Sequence, residues 1–161
     1  MRKLLIFMVV LIPLFLGCEE GKVAQTSWEL TVVDHGSVSP TYVESTTAIT
    51  FAGRIHYTEE LKSGGDEDAL ATLAEWSAYI SDEELSSLNA LIDDSNIIKQ
   101  GDIIVDEDPC IGGQGMSVYF TSDSGENEFR ILGVCQDDEA MPLELSELFS
   151  FVDELVEKYG F

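Results

Sequence analysis

The sequence predicts an α+β fold, in which an antiparallel sheet built of hairpins packs against two helices. Three observations predict this class. Polar and apolar residues alternate over short segments of the first half, and again over residues 116–134. Apolar residues recur with helical spacing at about 81–94 and 142–159. Residues 28–161 contain no internal repeat and suffice for a substantial core, so we expect one domain there.

The chain begins with a segment typical of export. Arg2 and Lys3 precede an apolar run of thirteen residues, 4–16, which Gly17 follows. A positive start, a short apolar stretch and a small residue describe a secretory signal. A membrane-spanning helix needs about 20 apolar residues, so this run is too short to be one. A signal cleaved elsewhere and a short membrane anchor are the alternatives.

The end of this run resembles the lipobox of bacterial lipoproteins. In Phe15-Leu16-Gly17-Cys18, apolar residues and a glycine stand directly before a cysteine. The resemblance implies cleavage before Cys18, attachment of lipid to its sulfur and acylation of its new amino group. One acyl chain binds a membrane reversibly, at about 0.8 kcal/mol per buried CH₂, whereas several chains on one residue anchor a protein stably.

This resemblance divides the chain. Residues 1–17 are then a signal peptide, and residues 18–27 are the acylated cysteine and a polar tether. Glu19 stands where an Asp is linked with inner-membrane retention in enteric bacteria, which favours the outer membrane if the host is Gram-negative. We therefore expect an extracytoplasmic protein of the cell envelope that contacts the membrane through its lipid anchor.

The segment after residue 27 predicts strands separated by turns. Alternation over residues 28–33 predicts a first strand, and residues 34–37 predict a turn. Residues 41–51, rich in β-branched side chains, predict one strand or two short ones. Residues 54–61 alternate again, and residues 63–66 predict a turn or a flexible loop.

Residues 69–80 are ambiguous. Their Ala, Leu and Glu content favours a helix, whereas Trp76, Ala78 and Ile80 alternate as in a strand. We favour a strand that returns from the turn at residues 64–65.

The clearest short helix is predicted at about 81–94. Ser81 can cap it, and Glu84, three residues later, completes a capping box. Asp93 and Asp94 are unfavourable at the negative end of a helix dipole, so the helix should end there. One face is apolar and comprises Leu85, Leu88, Leu91 and Ile92.

The last helix is predicted at about 142–159, with Pro142 at its first helical position. A membrane-surface helix would carry Lys and Arg on its polar face, but this one carries Asp and Glu. We therefore expect its apolar stripe to pack on the sheet. The stripe comprises Leu145, Leu148, Phe149, Val152, Leu155, Val156 and Tyr159.

Two cysteines besides Cys18 predict a disulfide. Residues 116–122 and 128–134 predict two strands joined by a turn at 122–126, with Cys110 and Cys135 near the open end of this hairpin. An exported protein is in an oxidising compartment, which favours pairing. The bridge would close a loop of about 25 residues and stabilise the fold by roughly 3 kcal/mol. Two buried free thiols are the alternative.

The charge of the chain excludes some partners. Without residues 1–17, 31 acidic residues face 6 basic ones, a net charge of −25. Such a charge repels phosphate, so we expect no nucleic-acid binding. The excess is explained by solubility alone, by a basic protein partner or by loosely held divalent cations.

No residue set predicts catalysis. The two histidines, His35 in a predicted turn and His56 on a strand, are too few for a zinc site with the usual ligand spacing. Serine triads are recognised by geometry rather than by order in the chain, and no nucleophile-elbow motif is present. We expect ordinary surface or half-buried histidines, no enzyme activity and no cofactor.

Acidic residues flank both cysteines of the predicted disulfide. A weak calcium site there is one hypothesis, because calcium takes carboxylate oxygens, but the spacing is not that of an EF-hand. A solvated acidic rim that binds no metal is the alternative, and the one we favour. The candidate ligands are Asp106, Asp108, Asp137 and Asp138.

The order of elements resembles that of emfourin-type inhibitors of thermolysin-like metalloproteases, a family of small bacterial α+β proteins. The features are a helix opened by Ser81-Asp82-Glu83-Glu84-Leu85 after hairpins, the hairpin over 116–134, and a terminal helix opened by residues 141–143. A glycine-rich turn of that family has no counterpart here, so no functional residue is carried over. The resemblance implies protease inhibition as one function.

These observations predict a lipid-anchored, extracytoplasmic binding protein whose ligand is unknown, possessing no catalytic motif. Its partner would be a protein, besides the membrane that holds the anchor. Inhibition of a secreted metalloprotease, calcium binding and an enzyme of unrecognised type are the alternatives.

Overall fold

The computed structural model describes residues 27–36, 40–63, 69–104, 114–134 and 141–160. Within these ranges the chain forms strands and helices, which we number in chain order. The strands are β1 (Trp28–His35), β2 (Thr41–Thr50), β3 (Arg54–Ser63), β4 (Ala69–Tyr79), β5 (Ile103–Ile104), β6 (Gln114–Ser122) and β7 (Gly125–Val134). The helices are α1 (Asp82–Ser95) and α2 (Leu143–Tyr159), with a short 3₁₀ turn at Ile97–Lys99.

The strands form one sheet in the order β4-β3-β2-β1-β6-β7-β5. The six longer strands are antiparallel to their neighbours, and only the two-residue β5 pairs in parallel, with β7. The predicted α+β class is confirmed. The strand favoured for residues 69–80 is also confirmed, since β4 pairs with β3 from Ala69 to Tyr79, with two shifts of register.

Two predicted turns include residues that belong to strands. Residues 34 and 35 belong to β1 because both neighbouring strands hold them: His35 pairs with Glu44 of β2 and with Gly115 of β6. The turn between β6 and β7 contains only Asp123 and Ser124, and β7 begins at Gly125. The placement of His35 in a turn is therefore wrong.

The core lies on one face of the sheet. Leu30 of the central strand is fully buried and pairs with Ile49 and Phe120, which are buried as well. The even-numbered residues of β1 and their neighbours thus make the apolar face, as period-two alternation requires. The same cluster contains Trp28, Val32, Ile55, Val118, Phe129 and Ile131 from the sheet.

Helix α1 begins as predicted, with a capping box. The Ser81 hydroxyl accepts from the Glu84 amide at 3.3 Å, and the Glu84 carboxylate accepts from the Ser81 amide at 2.8 Å. The helix ends at Asn96, whose φ of 51° lies in the left-handed region that terminates helices. Leu88 and Ile92 point into the core.

Helix α2 covers the core with the predicted stripe. Pro142 does not occupy the first helical position but precedes it, because its ψ of 133° is extended. Its carbonyl accepts from the amides of Leu145 and Ser146, both at 3.0 Å. The buried residues of α2 are Leu145, Leu148, Phe149, Val152 and Leu155.

The two helices are joined where α1 begins and α2 ends. The Glu84 carboxylate accepts from Lys158 Nζ at 2.6 Å and from the Tyr159 hydroxyl at 2.7 Å. The Lys158 hydrogen bond, followed by that of Ser81, lowers the pKa of Glu84 to about 2. Neither α1 nor α2, nor the 3₁₀ turn between them, is long and apolar enough to cross a membrane.

Candidate functional site

The sheet has a second face, which neither α1 nor α2 covers. Period-two alternation places Thr31, Val33 and His35 of β1 on the side opposite Leu30. Their neighbours in β2 and β6 lie on the same side. We call this surface the open face and define it by these three residues and the residues that flank them: Glu44, Thr46 and Ala48 of β2, Thr58 and Lys62 of β3, and Ser117 and Tyr119 of β6.

A chain of polar contacts crosses four strands of the open face. His35 contacts Glu44 Oε2 through Nδ1 at 2.8 Å and Ser117 Oγ through Nε2 at 3.0 Å. Lys62 donates to the other oxygen of Glu44 and lies 3.6 Å from Glu60 Oε2. We call Lys62, Glu44, His35 and Ser117 the cross-strand network. It links β3, β2, β1 and β6, which lie side by side on this face.

The network is partly shielded from water. The Glu44 side chain is 11% exposed and that of Lys62 is 17% exposed, whereas that of His35 is 41% exposed. Burial by itself would raise the pKa of Glu44, but hydrogen bonds from Lys62 and His35 outweigh it and lower that pKa. The hydrogen bond to Glu44 in turn raises the pKa of Lys62. Both groups are therefore held in their charged forms.

The order of contacts in the network is that of a serine triad. In such triads a serine hydroxyl contacts Nε2 of a histidine, and a carboxylate contacts Nδ1. Ser117, His35 and Glu44 reproduce this order. Ser117 lies within β6 and pairs with Val33 on one side and Arg130 on the other, so the ladder uses its backbone groups. Its register partner in β7, Arg130, has a cationic side chain.

Sequence reasoning missed this network. His35 and Glu44 are close in the chain, but Ser117 is 82 residues away from His35, and only the strand register brings them together. A register shifted by one residue would place either partner on the other face. No spacing in the sequence indicates that register.

A groove lies at the other end of the open face, near the β2–β3 turn. One part has a volume of about 380 Å³, and a second part, of about 210 Å³, shares Glu29 and Thr50 with it. Arg54 and His56 line the second part, and Phe51 lines the first. The His56 side chain is held by a contact between its Nδ1 and Ser77 Oγ at 2.8 Å. The groove thus offers acidic, basic and aromatic side chains side by side.

Two acidic residues meet at the margin of the helix-covered face. Burial raises the pKa of Asp34, although the nearby His35 opposes the shift. Desolvation and the negative charges of Asp34 and Glu157 raise the pKa of Asp153 in α2. Among the residues whose positions the structure gives, no group of three or more His, Cys, Asp or Glu side chains could hold a metal ion.

The predicted lipidation and disulfide residues, Cys18, Cys110 and Cys135, lie outside the described ranges. The hairpin on which the disulfide prediction depends is present, because Gln114 pairs with Val134. The disulfide itself stays a prediction. The four calcium candidates, Asp106, Asp108, Asp137 and Asp138, also lie outside those ranges, so calcium binding stays a prediction as well.

Comparison of the chain with models of known protein families and with curated protein sequences returned no match. The lipobox-like signal and the inhibitor-like order of elements are therefore arguments from the sequence alone.

Proposed function

We propose that this protein is a lipid-anchored binding protein of the cell envelope, which holds a protein partner on the exposed side of its sheet. The observation that supports this proposal is the open face itself. The buried residues of both helices pack in the core on one side of the sheet, whereas the other side contributes mostly partly exposed side chains and no described helix residue to that core. An antiparallel sheet is stable with one wet face, and its six longer strands offer a wide surface here.

The distribution of charge supports the same surface. The structure describes five Lys and Arg residues, and Arg54, Lys62 and Arg130 of these belong to strand positions on the open side. Helices α1 and α2 contain a single basic residue, Lys158, among many acids. Mixed charge gives a protein surface specificity for a partner, whereas a uniformly acidic surface mainly repels.

The anchor is tested by the mature N-terminus. We expect mass spectrometry of the native protein to find a chain that begins at Cys18 and carries acyl groups, and detergent-phase partitioning that is lost in Cys18→Ala. An unmodified chain that retains Met1 and stays in the aqueous phase would remove the anchor from the proposal.

The binding surface is tested by photo-cross-linking in the host membrane. A photoreactive amino acid is placed at Thr46 or Thr58 on the open face, and as a control at Ser86 or Ala90, which are exposed on α1. We expect one discrete cross-linked protein from the open-face positions and none from the helix positions. Equal products from both sets, or products from α1 alone, would contradict the proposal.

The cross-strand network favours a second candidate function, acyl transfer. In that reaction Ser117 Oγ would attack an ester carbonyl and pass its proton to His35 Nε2, which would protonate the leaving alkoxide. Water would then release the acyl group and restore the serine. Glu44 would hold the imidazole through Nδ1, and Arg130, the register partner of Ser117, would be a candidate cation for the oxyanion.

A fluorophosphonate probe tests this second candidate. If the network is catalytic, the full-length protein is labelled, and Ser117→Ala is not. Ser77→Ala is the matched control, because Ser77 also contacts a histidine, but through Nδ1 of His56. Absence of labelling in the unaltered protein would leave the network with its structural role only.

A further inference from the structure

Strand β4 forms one edge of the sheet. In the part of the chain that the structure describes, it pairs only with β3, so its other side faces no strand. Natural edge strands are commonly protected by Lys, Pro or an early end. β4 is eleven residues long, its one charged residue is Glu75, and it contains neither Lys nor Pro.

The register of β4 separates it into two halves. Pairing is regular from Arg54↔Tyr79 to Glu59↔Ala74. The register then shifts by one residue after Glu59 and again after Leu61. Leu73 and Leu70 are the unpaired residues at these shifts, and they are 52% and 56% exposed. Bulges disturb an edge locally. The regular half, residues 74–79, is therefore the part that could accept another strand.

The backbone groups that point outward can be assigned. The Ile80 amide donates to the Gly53 carbonyl at 2.9 Å, so Ile80 directs its backbone toward the β3 side. Because the direction alternates along an antiparallel strand, the amides and carbonyls of Glu75, Ser77 and Tyr79 point away from β3. Three consecutive outward positions make a template for a short strand.

This half of β4 is held in place from its β3 side. The Trp76 ring stacks on Tyr57 with centroids 5.4 Å apart, and Ser77 Oγ contacts His56 at 2.8 Å. The C-terminal end of α2 lies against the Trp76 indole, since a Cβ on Gly160 would come within 3.4 Å of it. A segment already fixed by such contacts loses little conformational entropy when a partner binds.

We propose that residues 74–79 of β4 bind an extended, cationic segment of the partner by strand addition. The added strand would place Lys or Arg opposite Glu75 and an apolar residue beside Trp76, and the chain's net charge of −23 would attract it. A second copy of this chain carries the same acidic excess and is repelled. This inference rests on the proposed function and names the partner's chemistry.

The test uses the full-length protein in detergent and a labelled synthetic peptide of about six residues, the usual strand length, that alternates Val and Lys. We expect saturable binding, and hydrogen exchange that slows at the amides of Glu75, Ser77 and Tyr79. The same peptide with Glu in place of Lys should bind at least about tenfold more weakly, which corresponds to a loss of about 1.4 kcal/mol of binding free energy.

Two variants separate strand addition from other binding. Ser77→Pro removes an outward amide without breaking a bond to β3, so we expect it to fold and to lose peptide binding. Ser77→Ala keeps the amide and should bind within about twofold of the unaltered protein, a change below 1 kcal/mol. If Ser77→Pro does not fold, Glu75→Lys serves instead and should reverse the preference between the Lys and Glu peptides.

Three results would overturn the inference: binding unchanged in Ser77→Pro, exchange that does not slow at the outward amides, or self-association through β4 that Ser77→Pro abolishes. The last result would identify a second copy as the occupant. Cross-links from Thr46 or Thr58 that persist in any of these cases would leave the proposed function intact. If the unaltered protein gives no such cross-links, the proposed function fails, and peptide binding at β4 no longer identifies a partner's segment.

Discussion

The two faces of the sheet differ in what their side chains do, although the same strands supply both. Adjacent residues of β6 show the contrast: Phe120 is 1% exposed and Tyr119 is 41% exposed. The covered face is apolar and excludes water, whereas the open face carries the cross-strand network and the groove. Period-two geometry thus assigns stability to one face and leaves the other available for recognition.

The charged residues follow the same division. The sequence of the two helices contains Asp82, Glu83, Glu84, Asp93, Asp94, Glu144, Glu147, Asp153, Glu154 and Glu157. Lys158 is the one basic residue in these two helices. Among the described residues, the two helices therefore have ten acidic residues and one basic residue, which keeps their outer side hydrated and repels acidic neighbours. The strands of the open face add basic residues to their acids, so the two sides of the described domain differ in charge.

The largest effect is expected from neighbouring substitutions on opposite faces. Phe120→Ala should destabilise the fold by about 3–5 kcal/mol, because it removes a buried ring and leaves a cavity. Tyr119→Ala should cost much less, about 1 kcal/mol, since Tyr119 is 41% exposed and its removal leaves no buried cavity. Urea unfolding of both variants measures the difference. Equal losses would show that the open face is also part of the core.

A smaller effect is expected from the cross-strand network. Glu44→Ala leaves Lys62 and His35 without their shared acceptor and should cost about 1–3 kcal/mol. Thr46→Ala, on the same strand and face, is the control and should change stability by about 0.5 kcal/mol or less. A double-mutant cycle between Glu44 and His35 should give a coupling near 1 kcal/mol. Zero coupling would reduce the network to an accidental contact.

The capping box gives the next effect, on the helix side. Ser81→Ala should destabilise the fold by about 1 kcal/mol, because the Glu84 amide loses its acceptor. Ser86→Ala, at an exposed position in the middle of α1, should be neutral or slightly stabilising, since Ala has the higher helix propensity. Thermal unfolding measures both. A neutral Ser81→Ala would indicate that Glu84 is held by Lys158 and Tyr159 alone.

The smallest effect is expected on how the free energy of unfolding depends on pH. The pKa of Asp34 is raised from 3.8 by burial, so ionising Asp34 weakens the folded state, and this penalty grows as the pH rises through its folded pKa. The pKa of Glu44 is lowered from 4.5, so its stabilising effect is present above pH 4.5 and is lost as the pH falls through its folded pKa.

Isosteric amides test these opposite signs. At neutral pH, Asp34→Asn should raise the free energy of unfolding, and Glu44→Gln should lower it. The gain from Asp34→Asn should disappear at pH values below 3.8, and the loss from Glu44→Gln should shrink as acid protonates the native carboxylate. Urea titrations across this range provide the measurement. Changes of the same sign would contradict the opposite pKa shifts of Asp34 and Glu44.

Local patterns predicted most of the fold. The alternation from Trp28 onward, the Ser81–Glu84 capping box and the apolar stripe of α2 are all present, because each depends on neighbours in the chain. The register between distant strands is not a local property. For that reason the contact of His35 with Ser117 could not be predicted, and His35 was misplaced in a turn.

In the proposed function, the open face binds a partner, while the covered face holds the fold. Thr46→Arg places a bulky cation at the middle of the open face, where Thr46 lies between Val33 and Thr58. We predict that this variant unfolds within about 1 kcal/mol of the unaltered protein, in line with surface substitutions, and no longer yields the cross-link from Thr58. A variant equally stable that still gives that cross-link in full would contradict the claim.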